Sequence, residues 1–195
     1  MWRGRRDDLS DLDDHALLRR AAEGDGRAAG VLVERLGPRL LASVARLLGG
    51  DRAEAEDVVQ EAFLRLWRKG ADWDAGGAAA PGTWLHRVAA NLALDRRRRA
   101  GARWDELDDA HADDAPGAEA RLMAGERVEA LEAALAALPE RQRVAVVLRH
   151  VEGYANPEIA AMMDVGVEAV ESLTSRGRRR LAALLGPRKE ELGHG

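Results

Sequence analysis

Apolar positions recur at helical spacing in segment after segment of this chain, and the sharpest pattern spans residues 156–185. Asn156 reads as an N-cap and Pro157 as the first helical residue, where no amide donor is needed. That short helix runs out at Asp164, and Gly166 permits a tight turn before a second helix over 167–185. On the second helix Val170, Leu173, Gly177, Leu181 and Leu184 fall in one narrow stripe. Opposite them lie Glu168, Glu171, Ser172, Ser175, Arg176 and Arg179, flanked by Arg178 and Arg180.

Earlier segments follow the same logic. Leu12, His15, Ala16 and Arg19 open a helix that Glu23-Gly24-Asp25-Gly26 breaks. Residues 28–48 read as helix, bent near Gly37-Pro38. Gly49-Gly50 stops it, and Asp51 is placed to cap the next one. Over 51–69, Ala55, Val58, Ala62 and Leu66 form a core stripe widened by Val59, Phe63 and Trp67. Asp57, Gln60, Glu61 and Leu64 sit opposite, at i, i+3, i+4 and i+7. Residues 70–82 form a Gly/Ala-rich loop containing Trp73 and Pro81. Thr83 is placed to cap a helix over 84–99, with Trp84, Leu85, Val88 and Leu92 inward and Arg87, Asn91, Leu94 and Arg98 outward. Residues 100–120 carry six acidic residues before Glu119 and little apolar periodicity, so they read as a flexible acidic linker. Helix resumes over 121–137 with Leu122, Val128, Leu131, Leu135 and Leu138 inward. Pro139 opens another over 140–151, and Gly186-Pro187 ends the last one.

Composition narrows the class. Aromatics are only 4% of the 195 residues, while Ala, Arg and Leu are the commonest, which favours an all-α chain. Cysteine is absent, so disulfides and thiolate zinc sites are excluded. The five histidines are scattered, without metal-ligand spacing, and no cofactor is expected. No apolar run approaches a membrane span, and the first residues lead into no hydrophobic signal, so the chain reads as cytoplasmic without membrane insertion.

Net charge is −4, which as a mean argues against a nucleic-acid partner, but the distribution matters more. Positive charge gathers at Arg96-Arg97-Arg98-Arg99 and at 176–180, and negative charge between Asp105 and Glu119. Four arginines at a helix C-terminus partly serve its dipole, yet their number suits a phosphate backbone. A helix, a turn and a helix with an Arg/Ser/Glu outer face is the layout of a helix-turn-helix that reads a major groove. A solvated amphipathic helix in a plain bundle has the same pattern. Leu64 among acidic and amide groups reads as a partner contact or as a singly exposed leucine. Trp73 either packs back on the core or stacks with a flat ligand.

Together the pieces resemble a known family. The segment DRAEAEDVVQEAFLRLW at 51–67 closely resembles the region 2 signature of bacterial extracytoplasmic-function (group IV) sigma factors. TWLHRVAANLALD at 83–95 is similar to the same family's promoter −10 helix. LPERQR at 138–143, EIA at 158–160 and the arginine-rich last helix are similar to its region 4. The resemblance implies two small helical domains, region 2 over 8–100 and region 4 over 121–188, joined by the linker at 101–120. It implies that Asp57, Gln60, Glu61, Leu64 and Trp67 meet the β′ clamp helices of core RNA polymerase, and that the β flap is a further partner. It implies that Trp73, Arg87, Asn91, Arg96, Arg97 and Arg98 meet a melted −10 strand. A base turned out of the stack there needs a polar reader and a lining. It implies that Glu171, Ser172, Ser175, Arg176, Arg178 and Arg179 meet the −35 duplex, with Arg176 suited to guanine. An anti-sigma factor is a further implied partner, and a linker mimicking RNA charge in the polymerase channel is inferred from the family alone.

Three positions depart from the family pattern. Glu171 stands where a basic residue is common, Gly166 where serine is frequent, and Asp164 where glycine is usual. A glutamate at 171 repels phosphates but accepts from cytosine N4. A conventional dimeric helix-turn-helix regulator is the competing reading, separated by the Asp57/Gln60/Glu61/Leu64 face. No nucleophile–base pair, phosphate loop or metal cluster marks an enzyme.

Overall fold

The computed structural model describes residues 9–73, 80–99 and 123–191. Among them every regular element is helical. The chain divides into two compact units, one of residues 1–44 and 53–92, the other of 45–52 and 93–195. The linker predicted over 101–120 lies outside the described residues.

The first unit begins with a 3-10 turn, Leu9–Asp11, followed by α1 (Asp14–Ala22) and most of α2 (Gly26–Leu47). Asp13 caps α1 by accepting the Ala16 amide at 2.7 Å. The Asp25 carboxylate takes the Arg27 and Ala28 amides at 3.0 and 3.3 Å and so opens α2. Arg35 of α2 reaches back to Asp14 Oδ1 at 2.7 Å and to the Leu12 and Ser10 carbonyls at 3.0 and 3.1 Å. These contacts tie the N-terminal turn to the helix. The expected bend does not end α2, which runs through Pro38. Leu32, Leu40 and Val44 are buried on both sides of the proline, so core packing offsets the lost hydrogen bond.

α3 (Arg52–Gly70), but for its first residue, and α4 (Pro81–Arg99) as far as Leu92 complete the first unit's framework; the end of α4 belongs to the second unit. α3 buries Ala55, Val58, Ala62, Phe63 and Leu66, as its spacing predicts. α4 differs from expectation at two points. It opens at Pro81, not after Thr83, because proline's fixed φ suits a first helical position. Its buried side is Leu85, Ala89, Ala90, Ala93 and Leu94, so Leu94 belongs to the core and not to the outer side. Trp84, Val88 and Leu92 are half-buried, which leaves Arg87, Asn91 and Arg98 on a narrow exposed strip.

The second unit holds α5 (Met123–Ala136), α6 (Glu140–Val146), a π-helical turn at Val147–Val151, α7 (Asn156–Met163) and α8 (Val167–Glu191). α8 packs on α5, α6 and α7. α6 is buried from Gln142 onward. α5 buries Ala134 and Leu135, with Leu138 just beyond it, while Val128 is 57% exposed and Leu131 40%. Both were expected inward, but among the described side chains of α5 the buried ones are confined to its last turn; Leu122, also expected inward, lies outside the described residues. α8 buries Val170, Leu173 and Gly177, yet Leu184 is 41% exposed, because the packing stops before the stripe does. α8 also continues through Gly186-Pro187 to Glu191, where the sequence predicted a stop.

Two features fix the second unit's backbone. A Cβ on Gly177 would lie 2.6 Å from Val146 Cγ2 and 3.2 Å from the Gln142 carbonyl. The helix crossing of α6 and α8 is therefore too close for any side chain. Arg143 of α6 is 6% exposed, with Nη1 3.5 Å from the Ala136 and Leu138 carbonyls. Burial pulls its pKa below the ordinary arginine value; Glu140 opposes this and Arg97 adds to it. The guanidinium also lies against the Gly49 turn, where φ is +74° and a Cβ would come within 3.0 Å.

The α7–α8 turn corrects the expected capping. Ala155 is the N-cap residue and Asn156 the first helical one, and the Glu158 carboxylate accepts the Ala155 amide at 3.0 Å. The left-handed residue is Asp164, at φ 55°, whereas Gly166 does not have positive φ.

Gly177→Ala is expected to lower stability by about 1–3 kcal/mol in denaturant titration, since the stiff Val146 side chain cannot move aside and overpacking outweighs the gain in helix propensity. Asp164→Gly is expected to raise the melting midpoint, with a gain of about 1 kcal/mol from relief of the left-handed conformation.

Candidate nucleic-acid interface

On α8 the buried stripe fixes which residues face outward. Glu168, Glu171, Ser172, Ser175, Arg178 and Arg179 are all exposed, along one side of the first four turns. Arg176 is half-buried, with its Nε turned inward out of solvent. The sequence therefore placed Arg176 too squarely on the outer face. Glu171 makes a contact that local spacing does not reveal: Asn156 Nδ2 donates to its Oε1 at 3.4 Å. Asn156 was expected to cap α7 with that side chain. Its role changes because Ala155 takes the capping position.

The turn before α7 adds a further cation, Arg149, to this unit. Arg149 Nη1 donates to the Tyr154 carbonyl at 3.0 Å. Burial, and then the charges of Arg178 and Arg149, hold the His150 imidazole below its ordinary value of 6.5. His150 and Arg149 thus share the electrostatic neighbourhood of Arg178. No periodicity in the sequence pointed to them, because the π-helical turn shifts the angular register after Val146.

On α4 the exposed strip carries Arg87, Asn91 and Arg98. Arg96 and Arg97 are half-buried. Arg97 donates through Nε to the Glu140 carboxylate in a close ion pair, and Arg98 pairs with Asp95. The arginine run is thus not uniformly presented, since an acidic partner holds Arg97 back from solvent. Trp73 is half-buried, its ring edge-on to Trp84 at 5.8 Å and to His15 at 6.4 Å. Trp73 Nε1 and His15 Nδ1 are buried without a hydrogen-bond partner among the described residues. These contacts favour the core-packing alternative for Trp73. The loop beyond it, at 74–79, lies outside the described residues.

On α3 the structure brings Asp57, Gln60, Glu61 and Leu64 onto one side of the helix. Leu64 is 43% exposed, and Glu61 pairs with Arg65 at 2.9 Å. Trp67 does not join them: it is half-buried and stacks on Phe63 at 5.7 Å. Among the described residues no group of His or acidic side chains is arranged to hold a metal ion. No helix among them is long and apolar enough to cross a membrane.

A helix-turn-helix with a Ser/Arg outer face and a helix strip of Arg and Asn, in a chain whose described elements are all helical, give the outline of a nucleic-acid-binding protein. Comparison with known proteins makes the class specific. The model of sigma-70 region 2 matches residues 32–103, and that of sigma-70 region 4 matches residues 128–181. The RNA polymerase sigma factor NccH of Alcaligenes xylosoxydans xylosoxydans is 35% identical over 178 residues, 88% of this chain and 94% of that protein. The ECF RNA polymerase sigma factor SigM of Mycobacterium tuberculosis is 36% identical over 174 residues, 89% of this chain and 85% of that one. The ECF RNA polymerase sigma-E factor of Escherichia coli is 31% identical, over 87% of this chain and 93% of that one. Among solved structures, CnrH in complex with the cytosolic domain of CnrY matches with a TM-score of 0.51 and 32% identity, over 89% of this chain and 97% of that one. The chain belongs to the extracytoplasmic-function sigma factors of the sigma-70 family, and it directs transcription initiation.

Trp73→Ala is expected to cost about 2 kcal/mol of stability, less than for a fully buried ring, whereas Trp73→Phe is expected to retain most of it. Thermal unfolding of the two variants checks this.

Proposed function

We propose that this chain is a dissociable, non-enzymatic subunit that binds core RNA polymerase through α3 and contacts promoter DNA through α4 and α8. The observation that carries the reading is the exposed Leu64, set among Asp57, Gln60 and Glu61 on a helix whose opposite side is fully committed to the core. A leucine in that position gives a docking partner apolar area, and the flanking carboxylates set its orientation. The β′ clamp helices are the surface we assign to it, and the β flap the one for region 4. We take region 2 as residues 8–100, the linker as 101–120 and region 4 as 121–188.

For the −10 element, Asn91 is the reader of an unstacked base, and Arg87, Arg96 and Arg98 hold the strand's phosphates. Arg97 joins them once released from Glu140. Trp73 supports the wall of the base site through Trp84. For the −35 element, the first four turns of α8 enter the major groove, where Ser172 and Ser175 meet base edges or phosphates and Arg178 and Arg179 meet the backbone. Arg176 reaches guanine by extending from its half-buried position. Chemistry on the nucleotide belongs to the polymerase, which places the chain in the cytoplasm with its template. CnrH, a solved relative, is bound to the cytosolic domain of CnrY, and we assign this chain an anti-sigma partner of the same kind.

Leu64→Arg is expected to reduce capture by core polymerase at least tenfold and to abolish run-off transcription, with thermal melting unchanged because the residue is exposed. Asn91→Ala is expected to leave capture intact and to lower transcription from the same promoter. Undiminished transcription by Leu64→Arg would instead favour a regulator that never engages polymerase through α3.

A further inference from the structure

The acidic residues on the outer face of α8 do not have one explanation. Glu168 lies in the first turn, where a carboxylate complements the helix dipole. Glu171 is the fifth residue of α8, beyond that first turn, and it is exposed among Ser172, Ser175, Arg178 and Arg179. It forms no ion pair among the described residues. Its partner is the neutral amide of Asn156, at the first helical position of α7. A bare carboxylate on a surface facing phosphates costs affinity unless it meets a donor in the groove.

The major-groove code says which donor. Guanine offers two acceptors, thymine one, and adenine a donor beside an acceptor. Cytosine alone offers an amino donor with no acceptor next to it. An ionised carboxylate is acceptor-only, so N7 of either purine and O4 of thymine repel it. We propose that Glu171 is a specificity-determining residue that demands cytosine at one position of the −35 element. Asn156 is its positioning residue, since its amide donates to that carboxylate across the α7–α8 turn, and α7 is the helix that crosses the backbone in this motif. The inference rests on the reading of α8 as the −35 helix.

The test is transcription by core polymerase with the full chain from a promoter library randomised across the −35 element, read by transcript sequencing. The native chain is expected to prefer cytosine at one position by about tenfold or more over any other base. Glu171→Gln is expected to move that position toward adenine, whose N6 and N7 match an amide, with the other positions unchanged. Asn156→Ala is expected to shrink the cytosine preference to a few-fold while the preferred base stays the same. Equal loss on every promoter would reduce Asn156 to a structural contact and overturn its assignment. If Glu171→Gln left every position unchanged, or raised output from all sequences alike, the carboxylate would be only a phosphate repellent and the proposal would fall. Promoter-dependent transcription with a consensus indifferent to residue 171 overturns this inference alone. A native chain that gives no promoter-dependent transcript overturns the −35 reading as well.

Discussion

The second unit depends on the crossing of α6 and α8 at Gly177. Val146 and the Gln142 backbone leave no room there for a Cβ, so α8 can seat in only one rotation about its axis. That rotation buries Val170 and Leu173 and turns Glu171, Ser172, Ser175, Arg178 and Arg179 outward. A steric limit in the core thus decides which side chains of α8 face outward. Rotating α8 by one residue would bury a charge and expose a leucine, at a cost several interactions could not offset.

Burial of Arg143 works in the same direction. A guanidinium at 6% exposure is costly, and it is tolerated here because carbonyls at the end of α5 and the nearby Glu140 carboxylate surround it. Glu140 also holds Arg97, so one carboxylate serves two cations. The arginine run of α4 is therefore divided: one member is engaged by an acid on α6, while Arg98 and Arg99 stay exposed. In the first unit the pattern is simpler. Apolar burial fixes α3 and α4, and their remaining strips are narrow enough that Leu64 and Asn91 have few alternatives to facing outward.

Much of this was readable in advance because it is local. Helical spacing, Gly49-Gly50 and Pro139 act within a few residues, so element types and approximate ends follow from neighbours in sequence. The outer faces of α3 and α8 follow for the same reason, and the ordered blocks at 51–67, 83–95 and 138–160 carry the family. Local signals misled where the core could overrule them. Pro38 read as a bend and Gly186-Pro187 as a stop, yet α2 and α8 run through them; buried Leu32, Leu40 and Val44 account for the first alone.

What the sequence by itself determined is an all-helical chain with a helix-turn-helix, a basic last helix and a polar face interrupted by Leu64. Tertiary packing decided how far each stripe is covered: Leu94 became core, while Val128, Leu131 and Leu184 stayed in solvent. It also decided the pairings of Asn156 with Glu171 and of Arg97 with Glu140, which join residues 15 and 43 positions apart. The physical reason is range. Periodicity and capping are written by the nearest turn of chain, but burial and charge pairing depend on whichever distant segment arrives to cover them.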